Sequence, residues 1–174
     1  MKKLQVADIV SGTSVDGPGL RTAIYFAGCA HRCPGCHNPS TWDFASGRRM
    51  SAEEIAGVAE ENGNNVTFTG GDPMYQAEGI ADLARRLRRL GYRLWCYTGF
   101  LYEDLLGEDS PAGARELLAE LDVLVDGPYI EALRDTDLMF RGSSNQRIID
   151  VPASLRAGKA VLHRLNAGPE LPEF

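Results

Sequence analysis

An α/β fold with a mainly parallel sheet, forming an incomplete and open (β/α) barrel, is the architecture this sequence predicts. Three observations lead to it. Short β-rich apolar runs alternate with longer runs of helical period along the chain. The 174 residues fall short of the ~250 that a closed eight-unit barrel takes. A cysteine loop at 29–37 and a Gly-Gly-Asp-Pro turn at 70–73 each come directly after a strand-like run. That places both at the carboxyl ends of strands, where open α/β sheets hold their ligands. No linker or long internal repeat divides the chain, so 1–174 reads as one domain. Its Pro- and Gly-rich tail, 164–174, is expected to be loose unless a partner holds it.

In chain order, LQVADIV at 4–10 predicts a short first strand, and SGTSVDGPGLRT after it is dense in turn formers and predicts a loop. TAIYFAG at 22–28 is apolar and β-rich, a buried strand that delivers the chain into the cysteine loop. Trp42, Asp43 and Phe44 are placed to pack that loop down. Ser51 and Glu54 make an S-x-x-E capping box that opens a helix to about Asn62, with Ile55, Val58 and Ala59 facing inward. NVTFT leads into Gly70-Gly71-Asp72-Pro73, after which Ile80, Leu83, Ala84, Leu87 and Leu90 recur at helical spacing. Arg85, Arg86, Arg88 and Arg89 on the rest of that helix read as a solvated face. YRLWCYT is a further strand, and its Cys96 reads as a small core residue with no metal role. Helical pieces fill 101–121, with Pro111 placed to start the second. LDVLVDGPYI, LMFRG, QRIIDV and KAVLHR complete the strand candidates.

Composition narrows the function. A net charge of −6 and a pI near 5.1 argue against non-specific nucleic-acid binding and against attachment to an anionic membrane surface. No apolar run approaches the ~20 residues of a membrane span. Gln5 and Asp8 break up the residues after Lys2 and Lys3, so no signal-peptide core forms. The expected location is the cytoplasm, where thiols stay reduced.

The stretch that carries chemistry reads C-A-H-R-C-P-G-C-H. Cys29, Cys33 and Cys36 fall close enough together to turn toward one metal centre. A four-iron cluster ordinarily takes one cysteine per iron, so three ligands leave one iron open for a small molecule. A closed Cys3His zinc site using His31 or His37 fits the same loop. A disulfide is the weaker reading in a reducing compartment. His31, between two cysteines, reads as an exposed loop histidine.

CxxxCxxC after one strand and GGDP after a later one resemble the radical S-adenosylmethionine superfamily. DGPGLRT at 16–22, GCHNPSTWDF at 35–44 and YTGF at 97–100 are similar to glycyl-radical activating enzymes within it. DVLVDGPYI at 122–130 and RGSSNQRII at 141–149 resemble those activases whose partner is an anaerobic ribonucleoside-triphosphate reductase. The resemblance implies a [4Fe-4S] cluster on Cys29, Cys33 and Cys36. It implies S-adenosyl-L-methionine at the fourth iron, with Gly35, Cys36, His37, Gly70, Gly71 and Asp72 around it. Reductive cleavage would give a 5′-deoxyadenosyl radical that takes hydrogen from a glycine of the reductase. No catalytic residue beyond the cluster ligands is implied, and a low-potential donor such as a flavodoxin would supply the electron. Asp72 stands where Glu is common, and His37 where an aromatic is common. Tyr97-Thr98 replaces an Asp-Thr pair that supports a cation in pyruvate formate-lyase activases, so no cation is expected. A pyruvate formate-lyase-type activase and a small-molecule radical enzyme are the alternatives, with a zinc-stabilised binding module more distant.

Overall fold

The computed structural model describes residues 2–168. One seven-stranded sheet organises them: β1 (Leu4–Thr13), β2 (Arg21–Phe26), β3 (Arg48–Met50), β4 (Asn65–Gly70), β5 (Leu94–Tyr97), β6 (Val123–Asp126) and β7 (Arg147–Asp150), in spatial order β3-β1-β2-β4-β5-β6-β7. The helices are α1 (Ala52–Asn62), α2 (Ala77–Arg89), α3 (Tyr102–Leu105), α4 (Ala114–Leu118) and α5 (Val151–Ala157).

The sheet is open and α/β, as expected, but it is not mainly parallel. β2, β4, β5 and β6 run parallel in the centre, while β1, β3 and β7 pair antiparallel at the two sides. The connections explain this. Parallel neighbours need a crossover, usually helical, and α1, α2 and the α3–α4 pair supply one each. A loop joins β1 to β2, and no α-helix lies between β6 and β7, so these strands return antiparallel.

Alternate residues of the central strands face opposite ways. Ile24, Phe26, Val66, Phe68, Leu94, Cys96, Leu124 and Ile149 are fully buried in the larger core beneath the helices. Trp95, Val123, Val125 and Ile148 form a smaller core on the other face. Arg21, only 4% exposed, lies on that second face. It donates to Thr67 Oγ1 at 2.7 Å and to the Val66 carbonyl at 2.8 Å, and lies over the Trp95 ring. Burial lowers its pKa to about 10, still leaving it a cation at neutral pH.

The capping box forms as predicted: Ser51 Oγ accepts from Glu54 N, and Glu54 Oε2 accepts from Ser51 N. Within α1, Ile55 and Ala59 are buried with Ala56, and Val58 is half-buried. Ile80, Leu83, Ala84 and Leu87 of α2 are buried, but Leu90 is 47% exposed because the helix stops at it. Arg85, Arg86 and Arg88 pair with acidic side chains of this chain, as a solvated face would.

Two predicted strands do not form. Residues 138–142 (LMFRG) turn instead, because Phe140 sits at φ +55°, in the left-handed region that ends an extended run. KAVLHR touches β7 only through an isolated bridge at Leu162. β3 is three residues long and was not anticipated. Of the tail 164–174, Arg164–Ala167 makes a 3-10 turn. Its Asn166 Oδ1 accepts from Ile148 N at 2.9 Å, tying the turn to β7; residues 169–174 lie outside those described.

Candidate functional site

Four parallel strands end on one side of the sheet, and each end contributes to a cavity of about 680 Å³. β2 runs into the cysteine loop, β4 into Gly70-Gly71-Asp72, β5 into Thr98-Gly99, and β6 into Gly127. The folded-back segment 136–146 supplies the opposite wall through Phe140, Arg141 and Gln146.

The cysteine loop is anchored at both ends. Gly28 N donates to Thr41 O at 2.8 Å and Cys29 N to Trp42 O at 3.1 Å, so the returning chain closes the loop. Inside it, Cys36 N donates to Cys33 O, and Asn38 N–H points at Cys36 Sγ, 3.4 Å away. All three cysteines are free thiols on the cavity wall; Cys29 is buried, Cys33 and Cys36 half-buried. Burial pushes the Cys29 thiol up, so its thiolate is favoured chiefly when a metal replaces the proton. Among the described residues no three His, Cys, Asp or Glu side chains converge as around a single metal ion.

The donor set and the space fit an iron–sulfur cluster, which is held by cysteine thiolates one per iron. Of the two histidines the zinc alternative could use, His31 has its Nε2 2.9 Å from the Asp72 carboxylate, while His37 lies on the cavity wall beside the Tyr129 ring. Cys96 is fully buried in the larger core, and burial pushes its thiol well up.

The glycine pair is required by the backbone around it. Gly70 has φ +102°, and a Cβ there would lie 2.5 Å from Phe26 N and O; at Gly71 it would lie 2.5 Å from Gly28 O and 2.8 Å from Thr41 O. The turn is thus pressed against the start of the cysteine loop. Gly71 N donates to Phe26 O at 2.7 Å and Asp72 N to Gly28 O at 2.9 Å. Those two N–H groups are spent within the protein and hold the turn against the start of the cysteine loop.

Comparison with known proteins adds a second line. Residues 15–149 match the family model described as a 4Fe-4S single cluster domain. The chain is 34% identical to the anaerobic ribonucleoside-triphosphate reductase-activating protein of Salmonella typhi, over 76% of this chain and 89% of that one. The activating protein of Vibrio cholerae is 36% identical, over 77% of this chain and 90% of its own length. The chain belongs to this family of activating proteins. Among solved structures, QueE from Escherichia coli aligns at a TM-score of 0.48 and 19% identity, over 56% of this chain and 52% of that one.

In this activating protein the remaining site residues fall into two groups. His37 lies on the cavity wall with its ring 5.2 Å from that of Tyr129. Gly35, at φ +75°, turns the chain between Cys33 and Cys36; it lies against the Glu131 side chain and not on the cavity wall. Asp72 is 1% exposed and accepts from Met74 N, Thr98 Oγ1, Gly99 N and His31 Nε2. Its carboxylate serves other parts of the chain. His31 is not the exposed loop residue expected: its side chain is 20% exposed and sits among Asp72, Tyr75 and Phe100.

Sequence reasoning missed Asp16, Tyr97 and Tyr129 as wall residues. The signal for Asp16 was present in DGPGLRT. That loop is laid against the sheet, with Tyr25 OH donating to Asp16 Oδ2 and Thr67 Oγ1 to Asp16 O, both at 2.7 Å. RGSSNQR is likewise built in. Gln146 bonds Gly142 N and Gly127 O, Asn145 bonds Pro128 O, and Ser143 Oγ accepts from Ile130 N. It fastens the turn after β6 over the cavity.

Proposed function

We propose that this activating protein carries a [4Fe-4S] cluster on Cys29, Cys33 and Cys36, binds S-adenosyl-L-methionine beside it, and installs a glycyl radical on an anaerobic ribonucleoside-triphosphate reductase. The observation that carries the reading is three thiols of one loop sharing a single cavity with the Gly70-Gly71 turn. When bound, the cluster supplies the single electron that splits the sulfonium of S-adenosyl-L-methionine.

The chain's own residues do the rest. The three cysteines would hold three irons of the cluster and would leave the fourth without a protein ligand. Gly70 and Gly71 let the turn after β4 press directly against the β2 backbone and the base of the cysteine loop, which brings both motifs to one cavity. His37 and Tyr129 present neighbouring rings on the cavity wall, a surface suited to a nucleobase. The walls from β5, β6 and the 136–146 segment bound the sides of the space in which a radical must survive.

The open sheet is best read as part of an open (β/α) barrel, single in domain over 1–174, whose unclosed side admits a glycine-bearing loop of a macromolecule. Among the described residues no helix is long and apolar enough to cross a membrane. A cytoplasmic location and a flavodoxin-like electron donor complete the reading.

The deciding experiment combines the anaerobically reconstituted, reduced protein, S-adenosyl-L-methionine and the glycine-bearing subunit of the reductase. A glycyl-radical signal on that subunit in electron paramagnetic resonance is the expected result. Cleavage of S-adenosyl-L-methionine without that signal, but with one on a pyruvate formate-lyase-type partner, would move the activity to the other class.

A further inference from the structure

We infer that His31 is a positioning residue: it latches the cysteine loop to the Asp72 carboxylate, which ties together the loops that come after β2, β4 and β5. The inference rests on the function proposed above and assigns a role to a residue that is neither a cluster ligand nor part of the glycine turn.

Asp72 is the hub. Its Oδ1 accepts from Met74 N at 3.0 Å, and its Oδ2 accepts from Gly99 N at 2.9 Å. Thr98 Oγ1 lies 3.0 Å from both oxygens. His31 Nε2 completes the set at 2.9 Å from Oδ2. A carboxylate accepts and does not donate, so the hydrogen in this contact belongs to His31. With these partners and 1% exposure, Asp72 has its acceptor sites taken by protein donors. It organises the loops around the cavity through these hydrogen bonds.

The position of His31 in the sequence gives the latch its purpose. It lies between Cys29 and Cys33, so fixing its ring fixes the span that separates two cluster ligands. The ring is held on its other sides as well. Phe100 packs against it in an edge-on arrangement at 4.6 Å between centroids, and Tyr75 lies tilted at 5.7 Å. Gly99 leaves the room: a Cβ there would stand 2.7 Å from the His31 ring. Asp72, Thr98-Gly99-Phe100 and His31 therefore form one packed unit, drawn from three of the motifs the sequence marks. Partners of this kind orient the groups that bind a metal centre and hold their rotamers.

Two variants separate the latch from its rivals. His31→Gln keeps a side-chain N–H near the place of Nε2 and can still donate to Asp72; His31→Leu fills the space and cannot. In apo-protein, amide hydrogen exchange of residues 30–36 should quicken about tenfold in His31→Leu and stay within about threefold of wild type in His31→Gln. After reconstitution both variants should hold iron near the wild-type content. The kcat for S-adenosyl-L-methionine cleavage should fall about 10–100-fold in His31→Leu and recover in His31→Gln. The change in cluster signal on adding S-adenosyl-L-methionine should weaken and recover in step. Wild-type exchange and kinetics in His31→Leu would overturn the latch, and so would equal loss of iron in both variants, which would mark His31 as a metal ligand. If wild-type protein bound no iron, the proposed function would fall instead, and apo-protein exchange alone would decide the latch.

Discussion

Replacing any one of Cys29, Cys33 or Cys36 by alanine is expected to abolish cleavage of S-adenosyl-L-methionine. The three thiols are the loop's only soft ligands, and in the proposed site each would hold one iron. Removing a partner that merely orients a ligand already costs about 10–100-fold, so deleting a ligand should exceed ~100-fold. Iron and sulfide content after anaerobic reconstitution should fall in the same variants, with loss of the brown colour. Cys96→Ala is the control. Cys96 is sealed in the core under the helices, so this variant should keep its iron and its turnover while losing some stability to the small void. Loss of iron from Cys96→Ala would show that the ligand count is wrong.

Gly70→Ala should be the most damaging substitution in the second motif. The new methyl would meet the Phe26 backbone at 2.5 Å, and backbone cannot swing aside as a side chain can. The position also needs φ +102°, which an L side chain adopts only under strain. Overpacking and backbone strain each cost about 1–3 kcal/mol, so a combined loss of about 2–6 kcal/mol is expected. In a chain of this size that lowers Tm by roughly 4–24 °C, readable by thermal unfolding of apo-protein. Gly71→Ala lacks the positive φ but presses on Gly28 O and Thr41 O, the two carbonyls at the mouth of the cysteine loop. Its loss should be smaller in Tm and larger, relative to that, in affinity for S-adenosyl-L-methionine. A Gly70→Ala protein with unchanged Tm would contradict the close approach of β2 and β4.

How much of this was legible in the sequence depended on the range of the interaction involved. The three cysteines lie within one loop and the glycine pair within one turn, so local spacing sufficed to mark both. Strand and helix order was legible through periodicity, because burial on one face imposes it. Ser51 and Glu54 were readable because a capping box spans only one turn. The pairing of His31 with Asp72 joins residues 41 positions apart, and nothing local to His31 announces a buried partner. The antiparallel return of β7 was likewise hidden, since it arises from the missing helix between β6 and β7 and not from any residue of β7. LMFRG has the composition of a strand, and only the left-handed turn at Phe140 prevents it from forming one. DGPGLRT and RGSSNQR were visible as motifs, but their work, holding loops against the sheet through Asp16, Arg21, Asn145 and Gln146, became visible only with the strands in place.

The most direct test of the central claim is electron paramagnetic resonance of the reduced, reconstituted protein before and after S-adenosyl-L-methionine is added. A site-differentiated cluster, three irons on cysteine and one exposed, predicts a shifted signal once the metabolite's amino and carboxylate groups take the fourth iron. A signal identical in both samples, from protein loaded with four irons per chain, would contradict it.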